Sequence, residues 1–227
     1  MKPAWHFVHP FTARFVGPTA CGKTTFLKSV IEKRLIDPWP TQIFYLYGST
    51  WQSPMFDYLQ KVHEVQFISG FNESVLSSNP SNEPMLVIVD DLIQEAKDSS
   101  AAGNLFMRGS HHQNMSVIMI EQSLFPKGKQ SVSMKQNTHY TVLFKSPSDS
   151  LGVSTLARHM YPQGKGKYLL DVFHDCTKQP FSYLIIDSKP STPDYLRLVT
   201  NITDPYPTVY VRDADKKDIQ EARLEAA

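Results

Sequence analysis

Residues 15–27 read Phe-Val-Gly-Pro-Thr-Ala-Cys-Gly-Lys-Thr-Thr-Phe-Leu, in which Gly17, four further residues and then Gly22-Lys23-Thr24 have the spacing of a loop that holds phosphates. The two glycines give the backbone the φ values and close approach that a tight loop around an anion requires. Where such a loop leaves an apolar strand and opens a helix, backbone N–H groups and the positive helix N-terminus converge on phosphate oxygens. The expected contact set is Gly17, Pro18, Thr19, Ala20, Cys21, Gly22, Lys23, Thr24 and Thr25. Lys23 would reach the β- and γ-phosphates of a nucleoside triphosphate, and the Thr24 hydroxyl would ligate Mg²⁺.

A triphosphate site also needs a second anchor for its metal and an acceptor that positions the attacking water. Met85-Leu-Val-Ile-Val-Asp-Asp91 offers both: five apolar residues form a buried strand, and two carboxylates end it. The carboxyl ends of strands are where ligands bind in open α/β sheets. Asp90 is expected to hold the Mg²⁺ through water and Asp91 to orient or deprotonate the attacking water. A third apolar run, Ser116-Val-Ile-Met-Ile-Glu-Gln122, ends in a neutral polar residue. Gln122 can hydrogen-bond the γ-phosphate or the water without adding negative charge; Glu121 is the rival as a base.

The chain has seven arginines: Arg14, Arg34, Arg108, Arg158, Arg197, Arg212 and Arg223. An arginine that stabilises charge on a transferring phosphoryl group can come from a neighbouring subunit, and Arg108 and Arg158 are the candidates for such a finger. His111 and His112 lack ligand partners at metal spacing. The three tryptophans, Trp5, Trp39 and Trp51, read as packing rather than base-stacking residues.

To position these groups the chain must alternate strands with helices. Strand-like runs fall at Thr12–Val16, Gln42–Tyr47, Val65–Ile68, Met85–Val89, Val117–Ile120, Tyr140–Phe144 and Tyr183–Ile186, several too continuous to be half exposed. Helical patterns at Lys23–Leu35, Pro54–Lys61, Ala101–Gly109 and Ser150–Met160 lie between them. The alternation predicts an α/β fold: a mostly parallel sheet flanked by helices. Residues 167–202 read as further strands with little helix, an antiparallel extension of the same sheet. A single ATPase domain over residues 1–204 is expected, followed by a charged tail or helix at 205–227.

The bulk composition excludes several classes. With 23 basic and 22 acidic side chains the formal charge is +1, far from the surplus of a wholesale nucleic-acid binder. Two cysteines, Cys21 and Cys176, support neither a disulfide framework nor a zinc site. No run approaches the roughly 18 apolar residues of a membrane span, and the N-terminus lacks the apolar core of a secretory signal. An intracellular protein is expected. One local bias stands out: residues 122–148 contain no acid but include Lys127, Lys129, Lys135 and Lys145.

Taken in order, GPTACGKT, LVIVDD, RGSHHQNMSVIMIEQS and HYTVLFKSPSDSLGVSTLARHMYP resemble the viral genome-packaging ATPases of the FtsK–HerA superfamily, the poxvirus-like group shared with Polinton and adintovirus elements. The histidine-bearing turn before the Gln-ended strand and the LFKSPSD segment after it carry most of the specificity. The resemblance implies a P-loop NTPase fold of the RecA/ASCE kind, with ATP and Mg²⁺ as cofactors. It also implies a homo-oligomeric ring that drives double-stranded DNA into a preformed capsid, docked on a capsid vertex or portal-like protein in an infected host cell. By position Lys23 and Thr24 match the first motif, Asp90 and Asp91 the second, and Gln122 the sensor. Arg108 falls where the family often has Arg-Gly-Arg-His, but this chain has Arg-Gly-Ser-His.

In such a ring Lys127, Lys129 and Lys135 could point into the pore and meet DNA phosphates without reading sequence; an ordinary solvated loop is the alternative. A papilloma- or parvovirus-type replicative helicase also combines a phosphate loop with an Asp-Asp strand, but there the motifs lie closer and the third strand ends in Asn. A nucleotide kinase would want an arginine-rich lid, and a nucleotide-regulated scaffold would bind without turnover.

Overall fold

The computed structural model describes residues 5–48, 54–72, 79, 81–90, 92, 113–125, 136–147 and 149–216. Its strands are β1 (Phe7–Val8), β2 (Thr12–Val16), β3 (Ile36–Asp37), β4 (Gln42–Tyr47), β5 (Gln66–Ser69), β6 (Met85–Asp90), β7 (Met115–Glu121), β8 (Tyr140–Phe144), β9 (Tyr183–Asp187), β10 (Leu198–Thr200) and β11 (Thr208–Tyr210). The helices are α1 (Lys23–Glu32), α2 (Pro54–His63), α3 (Ser150–Met160) and α4 (Lys167–Cys176).

Among the described residues nine strands form one sheet in the order β11-β10-β9-β8-β2-β7-β6-β4-β5, and β1 pairs with β3 apart from it. From β8 to β5 every pairing is parallel, whereas β9, β10 and β11 run antiparallel. Strands β2, β7, β8 and β9 are buried at every residue, as central strands covered on both faces must be. One face packs Phe15, Ile88, Ile118 and Phe144 against Phe26, Leu27 and Val30 of α1. On the other face, Leu143, Leu184 and Ile186 meet Val153 and Ala157 of α3 and Leu169, Val172 and Phe173 of α4.

Local chemistry explains the helix ends. Asp149 caps α3 by accepting from the Gly152 N–H at 3.0 Å. Helix α1 stops at Glu32, short of the expected Leu35. Arg34 takes a left-handed φ of 51°, the Arg34 N–H returns to Ile31 O and the Leu35 N–H to Val30 O. This pair of reversed bonds is a helix stop that frees Ile36 to pair with Phe7.

Two expectations need correction. Residues 167–202 are not all strand: Lys167–Cys176 is α4, because Leu169, Val172, Phe173 and Cys176 recur at helical spacing and turn one stripe onto the sheet. The sheet also continues past residue 204, since Thr208–Tyr210 pairs with Leu198–Thr200 as edge strand β11 inside what was read as a tail. The expected helix Ala101–Gly109 lies outside the described residues.

Candidate active site

Strand β2 delivers the phosphate loop at the carboxyl edge of the sheet, and α1 opens directly after it with Gly22 as N-cap at φ 103°. That angle is open to glycine and strained for any other residue. Gly17 is required for a different reason. A β-carbon there would lie 2.7 Å from Cys21 Sγ and 2.8 Å from Phe144 Cβ, closer than real contacts allow. Cys21 is thereby explained as a small residue packed on Gly17. The Lys23 ammonium donates to the carbonyls of Gly17 at 2.6 Å and Pro18 at 2.8 Å, so its stem lies across the mouth of the loop.

Asp90 ends β6 in register with Ile120, which is itself in register with Phe15 of β2. Its carboxylate therefore belongs to a strand two places from the phosphate loop, about 10 Å away at ordinary strand spacing. Ile88 belongs to the α1 side of the core, and strand alternation puts Asp90 on that side too. The Tyr45 hydroxyl, from β4, donates to Asp90 Oδ2. Burial first, and then the adjacent Asp90 charge, push the Tyr45 phenol far above its ordinary value, so it remains a donor at any physiological pH. Asp91 lies outside the described residues.

Gln122 follows β7 and is exposed, with the parity of Ile120 and hence of the Asp90 side. Glu121 takes the opposite face. Its carboxylate accepts from Arg14 Nε at 2.6 Å, and Arg14 Nη2 also donates to Leu124 O at 3.0 Å. Both side chains are nearly inaccessible, 5% and 2% exposed. A carboxylate fixed in a buried pair on the far face is a poor base for chemistry at the loop, which favours Gln122 over its rival. The Glu121 carbonyl in turn accepts the Gly17 N–H at 3.1 Å, so the first glycine of the loop is tied to the end of β7.

The other arginines are spread out. Arg34 lies over the Trp39 ring, Arg197 bonds Asp194, and Arg212 makes two bonds to Asp215. Arg158 occupies the last turn of α3, roughly 12 Å along the helix from its start at the carboxyl edge. Trp5 packs edge-on against Phe7 at 4.9 Å, as a packing residue should. Arg108, Trp51, His111, His112, Lys127, Lys129 and Lys135 lie outside the described residues. Sequence reasoning missed Arg14, Glu121's buried role, and Tyr45 as the donor to Asp90. Alternation along β4 marks Tyr45 as inward-facing, but nothing local pairs it with Asp90.

The donor set suits Mg²⁺. Thr24 and Asp90 offer hard oxygens, and among the described residues no group of three His, Cys, Asp or Glu could hold a metal alone. Magnesium bound with substrate phosphates and water uses one or two protein oxygens rather than a full protein cage.

A central loop between strand and helix, with an acid-ended strand two places away in a mostly parallel sheet, is the architecture of the P-loop ATPases, and solved structures of that class share the fold. The genome packaging NTPase B204 of Sulfolobus turreted icosahedral virus 2, in complex with AMP, matches with a TM-score of 0.53 at 10% identity over 86% of this chain and 98% of that one. The DNA-packaging ATPase B204 of Sulfolobus turreted icosahedral virus gives 0.53 at 8% identity over 92% and 98%. ATPases 2 and 3 of EssC from Geobacillus thermodenitrificans give 0.53 at 11% over 95% of this chain and 43% of that one. Among curated sequences, packaging protein 1 of canine adenovirus serotype 2 is 26% identical over 122 residues, 51% of this chain. Packaging protein 1 of human adenovirus C serotype 5 is 26% identical over 120 residues, 50% of this chain. Each alignment spans only 27% of the adenovirus protein, about a quarter of its length. No family model matches the chain. Among the described residues no helix is long and apolar enough to cross a membrane.

Proposed function

We propose that this chain is the ATPase of a viral genome-packaging motor, hydrolysing ATP to move double-stranded DNA into a capsid. The observation that carries the reading is one edge of the sheet. The Lys23 loop on β2 and Asp90 on β6 flank β7, which Gln122 directly follows, and the Gly17 N–H donates to the Glu121 carbonyl. The near end-to-end fold likeness to B204 and the partial sequence likeness to adenovirus packaging protein 1 support this use of that edge.

In this reading Lys23 grips the β- and γ-phosphates, and Thr24 and Asp90 hold Mg²⁺. When bound, the ion neutralises charge on the phosphates. Tyr45 keeps Asp90 oriented, Asp91 aligns the attacking water, and Gln122 senses the terminal phosphate. Arg108 or Arg158 reaches a neighbouring subunit's site in a homo-oligomeric ring. Lys127, Lys129 and Lys135 contact DNA phosphates in its pore, and a capsid vertex or portal-like protein receives the ring inside the infected cell. The P-loop ATPase domain extends through β11.

The test is steady-state ATP hydrolysis with and without double-stranded DNA, followed by the salt dependence of DNA binding after Lys127, Lys129 and Lys135 are replaced by alanine. Stimulation by DNA, with a shallower salt slope in the triple variant, is expected. Hydrolysis indifferent to DNA, or phosphoryl transfer to a nucleotide acceptor, overturns the motor reading.

A further inference from the structure

We propose that Phe181 is the platform on which the nucleotide base stacks, so that the site selects purine over pyrimidine triphosphates by ring area. The inference deepens the nucleotide-binding reading above and rests on it.

Phe181 breaks two rules at once. It is 68% exposed, and it holds a φ of 65°, a left-handed conformation that is a genuine outlier for a bulky side chain. It follows Pro180 in a turn closed by the Ser182 hydroxyl donating to Gln179 O at 2.9 Å. A position with positive φ directly after a turn proline ordinarily carries Gly or Asn. An aromatic residue kept there against local preference marks a place where the side chain itself is needed.

Its surroundings say for what. A β-carbon built on Gly22 would lie 3.2 Å from Phe181 Cβ and 3.3 Å from its Cδ1, so Phe181 rests directly on the last glycine of the phosphate loop. Two residues on, Tyr183 joins Phe26 and Phe144 in a buried cluster, with Phe26 and Tyr183 ring centroids 4.2 Å apart. A triphosphate lying in the loop has a direction. Its terminal phosphate must face the metal anchor and the sensor, which stand on the β7 and β6 side of β2. The nucleoside end then leaves on the opposite side, past β8 and the start of β9, where Phe181 stands two residues before Tyr183. An exposed ring there offers a π-face on which a two-ring purine stacks over more area than a one-ring pyrimidine, and it offers no hydrogen bond that would separate adenine from guanine.

The experiment measures binding of Mg·ATP, Mg·CTP and Mg·tripolyphosphate to the full chain and to its Phe181→Ala and Phe181→Trp variants, with the oligomeric state recorded alongside. The native chain is expected to bind Mg·ATP more tightly than Mg·CTP, and equal affinities overturn the selection by ring area. Phe181→Ala is expected to weaken Mg·ATP by roughly tenfold or more, the size of one base–aromatic stack, and to leave tripolyphosphate unchanged. Phe181→Trp retains ATP affinity, and its fluorescence is quenched by ATP but not by tripolyphosphate. ATP and tripolyphosphate weakened equally, or neither weakened, overturns the platform. So does a loss of ATP affinity that only follows dissociation of the oligomer, since Phe181 is then a subunit contact. If the native chain binds tripolyphosphate and ATP equally and Phe181→Ala changes nothing, the platform fails while the phosphate loop stands. A native chain that binds neither overturns both.

Discussion

The two flanks of the phosphate loop are built of opposite materials. Toward β7, β6 and β4 the edge is polar, and three of its groups are held by named partners: Asp90 by Tyr45, Glu121 by Arg14, and the Gly17 N–H by Glu121 O. Toward β8 and β9 it is aromatic: Phe144, Phe26 and Tyr183 pack beneath the loop, and Phe181 lies on Gly22. The difference teaches how one loop can serve two purposes. Directional bonds on the first flank fix atoms within tenths of an ångström, as phosphoryl chemistry demands. Dispersion and stacking on the second hold a surface without dictating an atom.

If the polar flank depends on its buried pair, breaking that pair should be the largest disturbance to the fold. Arg14→Met or Glu121→Met alone leaves a charge buried without its partner and should cost about 3–5 kcal/mol in urea unfolding. The double variant should recover most of that stability, because two methionines fill the space without a charge to desolvate. Lys28→Ala, which removes a half-exposed pair with Glu32 on α1, serves as the surface control and should cost under about 1 kcal/mol. Equal losses for Arg14→Met and Lys28→Ala would erase the contrast between an interior device and a surface one.

A smaller effect is expected at Tyr45→Phe. Removing the donor to Asp90 should raise the Mg²⁺ concentration needed for half-maximal ATP hydrolysis by roughly tenfold, equivalent to about 1.4 kcal/mol. An unchanged Mg²⁺ requirement would mean that Asp90 needs no orienting partner. The last contrast is in thiol reactivity, between Cys21 in the loop and Cys176 at the end of α4. Burial, helped by the neighbouring Asp175 charge, pushes the Cys176 thiol up to about 12, so at pH 8 only roughly one in ten thousand is thiolate. Iodoacetamide should modify Cys21 first, and Mg·ATP should protect it; preferential labelling of Cys176 would contradict the placement of both thiols.

Much of this was legible in the sequence for a definite reason. The phosphate loop, the acid-ended strand and Gln122 are local patterns whose chemistry depends on neighbours in the chain. Parallel strands announced themselves by unbroken apolar runs such as Met85–Val89, and α3 by the helical pattern of Ser150–Met160. What escaped depends on contacts far apart in sequence. Arg14 meets Glu121 only because β2 and β7 pair with Val16 opposite Glu121, a register no single stretch encodes. Tyr45 reaches Asp90 through the pairing of β4 with β6. Helix α4 was legible and misread, since Tyr168, Leu169, Leu170, Val172 and Phe173 look like a strand until their spacing is counted. Phe181 could be noticed only once its backbone angle and its seat on Gly22 were seen.

The central claim is that the Lys23 loop and the Asp90 edge together hydrolyse ATP. The most direct measurement is Mg²⁺-dependent ATP turnover by the native chain beside Lys23→Ala, at matched folded fraction. The account predicts turnover in the native chain and a loss of roughly 10²–10³-fold in the variant, the scale of removing one preorganised charge from a phosphoryl-transfer site. Native turnover that persists undiminished in Lys23→Ala, or a native chain that binds ATP and never hydrolyses it, would contradict it.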